Sequence, residues 1–110
     1  MMLPNGENAV VPIEKLRDYC LSNSHMEGKH KAKVFASALG FTAEDAEDLR
    51  QLLLESARTQ NAELGEWNAY GQRYIVDFTI LGLSGIVSIR SSWIIRTAEE
   101  IPRLVTCYVN

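Results

Sequence analysis

The feature that most constrains this chain is a change of hydrophobic period near residue 62. Before it, apolar residues recur every three or four positions, the signature of amphipathic helices. After it they recur every second position, as in strands with one buried face. A chain with this switch is predicted to be α+β, with three N-terminal helices packed on a three- to four-stranded antiparallel meander.

The helical half carries its own punctuation. Pro12 opens a helix where its missing N–H costs nothing, Ile13, Leu16 and Cys20 share one face, and Ser22-Asn23-Ser24 ends it. This predicts a helix over 12–22. A second, over 28–39, carries Ala32, Phe35, Ala36 and Leu39 as its stripe, with Gly40 as the stop. A third, over 42–60, begins at Thr42, which Asp45 can answer in a capping box while Phe41 staples onto Ala46. Leu49, Leu52, Leu53 and Ala57 form its core face. The acidic block Glu44, Asp45, Glu47 and Asp48 falls in its first turn, where the helix dipole favours negative charge.

In the second half, Tyr74, Val76, Phe78 and Ile80 alternate with Arg73, Ile75, Asp77 and Thr79. Gly82-Leu83-Ser84-Gly85 reads as a hairpin loop. Val87, Ile89, Trp93 and Ile95 then oppose Ser88, Arg90, Ser92 and Arg96, and Val105, Cys107 and Val109 oppose Leu104, Thr106 and Tyr108. Strands are predicted over 72–81, 86–96 and 103–109, with a weaker one near 63–67. No repeat or linker interrupts the chain, so residues 1–110 are read as one domain.

Its 110 residues, 46% of them apolar, can bury a core without disulfides or a structural metal. No apolar run approaches the roughly 18 residues of a membrane span, and the opening Met1-Met2-Leu3-Pro4-Asn5-Gly6 lacks the regions of a signal peptide. Cys20 and Cys107 stand far apart without metal-ligand spacing and are read as free thiols. These features predict a cytoplasmic protein with no membrane association. The net charge of −3 speaks against a dedicated nucleic-acid binder, but the charges are segregated: Lys29, Lys31 and Lys33 cluster with His30.

Phosphate-binding glycine loops, GxSxG, HExxH and two-cysteine metal half-sites are all missing from the sequence. With His25 and His30 as the two imidazoles, neither a metal nor a cofactor is expected. Two features could carry chemistry. One is the polar sheet face, rich in arginine and hydroxyls: Arg73, Asp77, Thr79, Ser88, Arg90, Ser92, Thr106 and Tyr108. Such donors suit phosphate, although an antiparallel sheet can also leave one face simply wet. The other is the basic stretch His25 to Lys33. The helical wheel turns His30 to solvent and puts Lys29 and Lys31 beside the apolar stripe; an ordinary solvated helix face has the same pattern.

Several motifs, in order, carry a resemblance: Leu3-Pro4-Asn5, Lys15-Leu16-Arg17-Asp18-Tyr19, His25, Gly28-Lys29-His30-Lys31-Ala32-Lys33-Val34-Phe35, Tyr70-Gly71-Gln72-Arg73-Tyr74, Trp93-Ile94-Ile95 and Pro102-Arg103-Leu104-Val105-Thr106. Together they resemble an uncharacterised family of small bacterial proteins, common in cyanobacteria, whose domain is similar to the C-terminal warheads of polymorphic toxins. Helices followed by an antiparallel meander also resemble the toxin ribonuclease superfamily of barnase, colicin D and RelE. That resemblance implies metal-independent attack of an RNA 2′-OH on the adjacent phosphate. His25 and Lys31 match the family's His…Gly-x-x-Lys-Ala motif, and Ser92 and Thr106 match its strand motifs; where the family carries His-Pro, Met26 follows His25.

On this reading His25 is the acid/base, Lys31 and Arg90 stabilise charge, and Ser92 and Thr106 position the phosphate. Lys29, Arg103 and Tyr108 would bind RNA, and a cognate antitoxin or immunity protein is an expected partner. The rival reading is a non-catalytic module, itself an antitoxin, immunity protein or adaptor, using the same sheet face for a protein partner.

Overall fold

Pro12, in extended conformation, turns the chain into a first helical segment, α1 (Ile13–Lys15), which widens at once into a π-turn over Leu16–Cys20. The sequence reading expected a plain α-helix over 12–22; the wider turn instead buries Leu16 and Cys20 completely. Helix α2 (Lys29–Leu39) buries Ala32, Phe35 and Leu39 and stops at Gly40, which takes the left-handed conformation that lacks a Cβ penalty. A 3-10 turn (Ala43–Asp45) leads into α3 (Ala46–Thr59). The expected capping box is present: the Thr42 backbone N–H donates to Asp45 Oδ2 at 2.8 Å. The computed structural model describes residues 1–26 and 28–110; Glu27, inside the basic stretch, lies outside the described residues.

Strands β1 (Ala62–Asn68), β2 (Gly71–Gly82), β3 (Gly85–Arg96) and β4 (Arg103–Val109) form one antiparallel sheet in the order β1-β2-β3-β4. The fold is thus α+β with a four-stranded open sheet. The helices are also bracketed by extended pieces: Met2 bridges Asn61, and Val10 pairs in parallel with Arg103. Val10 accepts from the Leu104 N–H at 3.0 Å and covers the start of the β4 edge. Among the described residues no helix is long and apolar enough to cross a membrane.

The helices cover the sheet face that carries Tyr74, Val76, Phe78, Ile89 and Trp93, all buried as the alternation predicted. Two departures set the site's geometry. A register shift opposite Ser92/Trp93 places Leu104, rather than Val105, across from Trp93. Leu104 is therefore in the core at 2% exposure, and Val105 is left half-buried at the edge. A bulge of this kind moves one residue out of phase, which strict alternation cannot anticipate. Secondly, a polar residue sits in the core. Ser91 is fully buried, donating to the Val76 carbonyl at 2.7 Å and accepting from Trp93 Nε1 at 2.9 Å.

Cys20 and Cys107 are free and buried. Their mutual contact, together with burial, pushes the Cys107 thiol well up, while the same contact pulls Cys20 down.

Candidate functional site

β4 is an edge strand, so helix residues can reach round it to the open sheet face. Lys31 does so. Its position beside the apolar stripe of α2 carries Nζ to 3.4 Å from Thr106 Oγ1 and 5.1 Å from the centre of the Tyr108 ring. The contact over the ring is a cation–π geometry. A helical lysine and two residues of the open face therefore meet at the sheet edge.

Strand register supplies the neighbours. Ser92 pairs with Thr106 and Arg90 pairs with Tyr108, placing four side chains on adjoining positions of one face. Arg90 is engaged on its other side by Asp77, its partner on β2, through Nε–Oδ1 and Nη2–Oδ2 contacts of 2.9 Å each. This two-pronged pair, with a lesser contribution from Tyr108, holds the Arg90 guanidinium pKa above its usual value. The site thus contains one half-buried ammonium, one guanidinium balanced by a carboxylate, two hydroxyl side chains and a phenol.

His25 sits in the loop before α2. Its ring lies edge-on to Tyr19 at 4.4 Å, and its Nδ1 accepts the Gly28 backbone N–H at 3.2 Å. A neutral imidazole accepting at Nδ1 carries its proton on Nε2. The loop is clamped from the far side as well, because a Cβ at Gly28 would overlap the Tyr19 backbone carbonyl. Tyr19 in turn lines a cavity of about 410 Å³ with Pro12, Glu14, Lys15, Asp18 and Val105.

The remaining sequence-nominated residues lie elsewhere. Lys29 is exposed at the start of α2, and His30 is exposed as the helical wheel predicted. Arg103 lies at the opposite end of β4, where Nε donates to Glu99 Oε1 at 3.1 Å. It lines a second cavity of about 280 Å³ with Lys15, Tyr70, Arg73, Ile94, Arg96, Leu104 and Val105. Of these, Lys15 went unnoticed in the sequence. It caps the β4 edge by donating from Nζ to the Val105 carbonyl at 3.1 Å, a contact that depends on the bulge. Its only sequence signal was its place in the motif Lys15-Leu16-Arg17. Among the described residues, no three His, Cys, Asp or Glu side chains cluster as a metal site would require.

The pattern of a known family spans residues 2–110: the domain of unknown function DUF6883. The chain belongs to the DUF6883 family. Among curated proteins, none matches it. The DUF6883 fold is also similar to a chain from the contact-dependent growth inhibition toxin–immunity protein complex of Klebsiella pneumoniae 342. That match has a TM-score of 0.63 and covers 96% of each chain at 16% identity. At that identity the likeness is one of fold.

Proposed function

We propose that this chain is a toxin-type, metal-independent ribonuclease acting in the cytoplasm, with its centre at the β4 edge. The observation that carries the reading is the meeting of Lys31 with Thr106 and Tyr108, against the cross-strand neighbours Ser92 and Arg90. Transesterification of RNA needs no water. A base takes the 2′-OH proton, O2′ bonds to phosphorus, the P–O5′ bond breaks, and O5′ takes a proton from an acid. The products are a 2′,3′-cyclic phosphate and a 5′-OH.

Charge accumulates on the phosphoryl oxygens, so fixed cations lower the barrier. Lys31 provides one beside Thr106 and Ser92, whose hydroxyls can donate to the same phosphate. Arg90 supplies directed N–H groups, although Asp77 balances its charge. Tyr108 offers a face for a base, and Lys29 and Arg103 supply positive charge at the periphery. His25, in the loop before α2, is the acid/base. The fold similarity to a chain of a toxin–immunity complex supports a cognate immunity protein as partner.

A second reading, a non-catalytic module that binds a protein partner, is favoured by the exposed apolar tip of the β2–β3 hairpin. There Leu81 and Ile86 pair across the strands at 81% and 79% exposure. One experiment separates the two. Purified protein is incubated with total RNA in the presence of a chelator, and the ends of the fragments are mapped. The ribonuclease reading requires fragments with 2′,3′-cyclic phosphate ends from the wild type, a loss of about 10²-fold or more in Lys31→Ala, and intact DNA of the same sequence. Intact RNA, together with no growth arrest on expression, would leave the binding module as the reading.

A further inference from the structure

The smaller cavity, at the far end of the same sheet face, holds a concentration of charge of which the ribonuclease reading draws on Arg103 alone, at its periphery. Arg73 on β2, Ile94 on β3 and Arg103 on β4 are register partners in one row across the sheet. Arg96 follows Ile94 by two positions on the same face, and Lys15 reaches in from α1 over the β4 bulge. Four cations thus line one concave space of about 280 Å³ in a chain whose net charge is −3.

These charges are poorly answered by the protein. Among the described residues, no Asp or Glu lines the cavity. Arg103 engages Glu99, and Lys15 gives one of its three donors to the Val105 carbonyl. Among the described residues, Arg73 and Arg96 form no ion pair, and Arg73 Nε is buried without a hydrogen-bond partner. A buried guanidinium N–H left unmatched is costly. Arg73 and Arg103 stand two strand spacings apart, about 9.5 Å, so their forks can close on one tetrahedral anion between them. At the rim, Tyr70 is 76% exposed and offers a platform for a flat partner.

We propose that this cavity is a phosphate-binding site that takes a phosphodiester of a single-stranded nucleic acid, with an adjoining base stacked on Tyr70. Guanidinium forks match phosphate oxygens two at a time, and an exposed phenol beside them fits an unpaired base better than a duplex edge. Ser92 and Arg96 lie about 13 Å apart along β3, so one strand laid on the open face could span both sites. The binding does not rest on cleavage, because nothing in it uses a 2′-OH.

The test is the fluorescence anisotropy of a labelled single-stranded DNA oligonucleotide, which cannot undergo 2′-OH chemistry, titrated with full-length protein at several salt concentrations. Arg96 is exposed, so Arg96→Gln leaves the core intact; Arg73→Gln is the second variant, with folding checked by a thermal melt. Each should weaken binding about tenfold, the scale of one charge-assisted hydrogen bond. Each should also flatten the logarithmic salt dependence by about 0.7. Lys33→Gln, on the exposed face of α2, should change neither quantity. Inorganic phosphate should displace the strand. An Arg96→Gln protein that binds like Lys33→Gln, or a wild type that does not bind the strand, would overturn the assignment. So would displacement by polyglutamate equal to that by unlabelled strand at matched charge, which would assign the cavity to an acidic protein partner. Loss of binding here with RNA cleavage retained, or the reverse, separates this site from the Lys31 centre.

Discussion

Ser91→Ala should destabilise the protein by about 2–4 kcal/mol, a large effect for the loss of one oxygen atom. Ser91 and Trp93 are both completely buried, so water cannot replace what is removed. The 2.7 Å hydrogen bond to the Val76 carbonyl is worth about 1 kcal/mol net. The larger part comes from Trp93, whose Nε1–H donates to Ser91 at 2.9 Å and would be left buried without an acceptor, at a cost of about 1–3 kcal/mol. In a domain of this size the loss corresponds to a fall in Tm of roughly 8–16 °C, at about 4 °C per kcal/mol. Urea unfolding followed by tryptophan fluorescence measures it, and the m-value should not change, since the folded surface is the same. A double-mutant cycle with Trp93→Phe isolates the mechanism, because phenylalanine has no N–H to orphan. In that background Ser91→Ala should cost only about 1 kcal/mol. A cost below about 0.5 kcal/mol in the wild type, or an equal cost in both backgrounds, would refute the reasoning. The result also bears on function, because Ser91 lies between Arg90 and Ser92 and anchors β3 with both turned to the open face.

The loop before α2 should be intolerant of a single methyl group. Gly28→Ala should lower the melting temperature and impair RNA cleavage together, because the new Cβ meets the Tyr19 carbonyl and displaces the helix that carries Lys31; a wild-type melt would contradict the clamp. His25→Ala should reduce cleavage by on the order of 10²–10⁴-fold, while exposed His30→Ala should be nearly silent, and rate measurements in the presence of a chelator check both. Equal effects of the two would remove His25 from the site. Both cysteines should resist an aromatic disulfide reagent in the folded protein and react after unfolding without reductant, since both are free and fully buried; finding neither reactive in the unfolded chain would contradict the free-thiol assignment.

Much of this architecture was legible because it is local. The period of Leu49, Leu53 and Ala57 dictates a helix, Thr42 and Asp45 cap it through their own side chains, and the glycines at 82 and 85 close a hairpin between alternating strands. Each of these is decided by residues a few positions apart, so reading along the chain suffices. The same holds for His30, whose exposure follows from the helical wheel. The π-turn at Leu16–Cys20 lay beyond that reach, because an α-helical and a slightly wider winding present nearly the same apolar spacing.

The site depended on distances that no local pattern encodes. The bulge opposite Ser92 and Trp93 takes Leu104 into the core, leaves Val105 at the edge and so creates the carbonyl that Lys15 caps. Lys31 reaches Thr106 only because β4 is the last strand of the sheet and α2 packs beside it. Arg73 and Arg103, thirty positions apart in the chain, came into one row through two strand pairings that share Ile94. Periodicity states which face of an element is apolar. Which polar faces then converge is set by strand order, register and packing, and these are properties of contacts between segments distant along the chain.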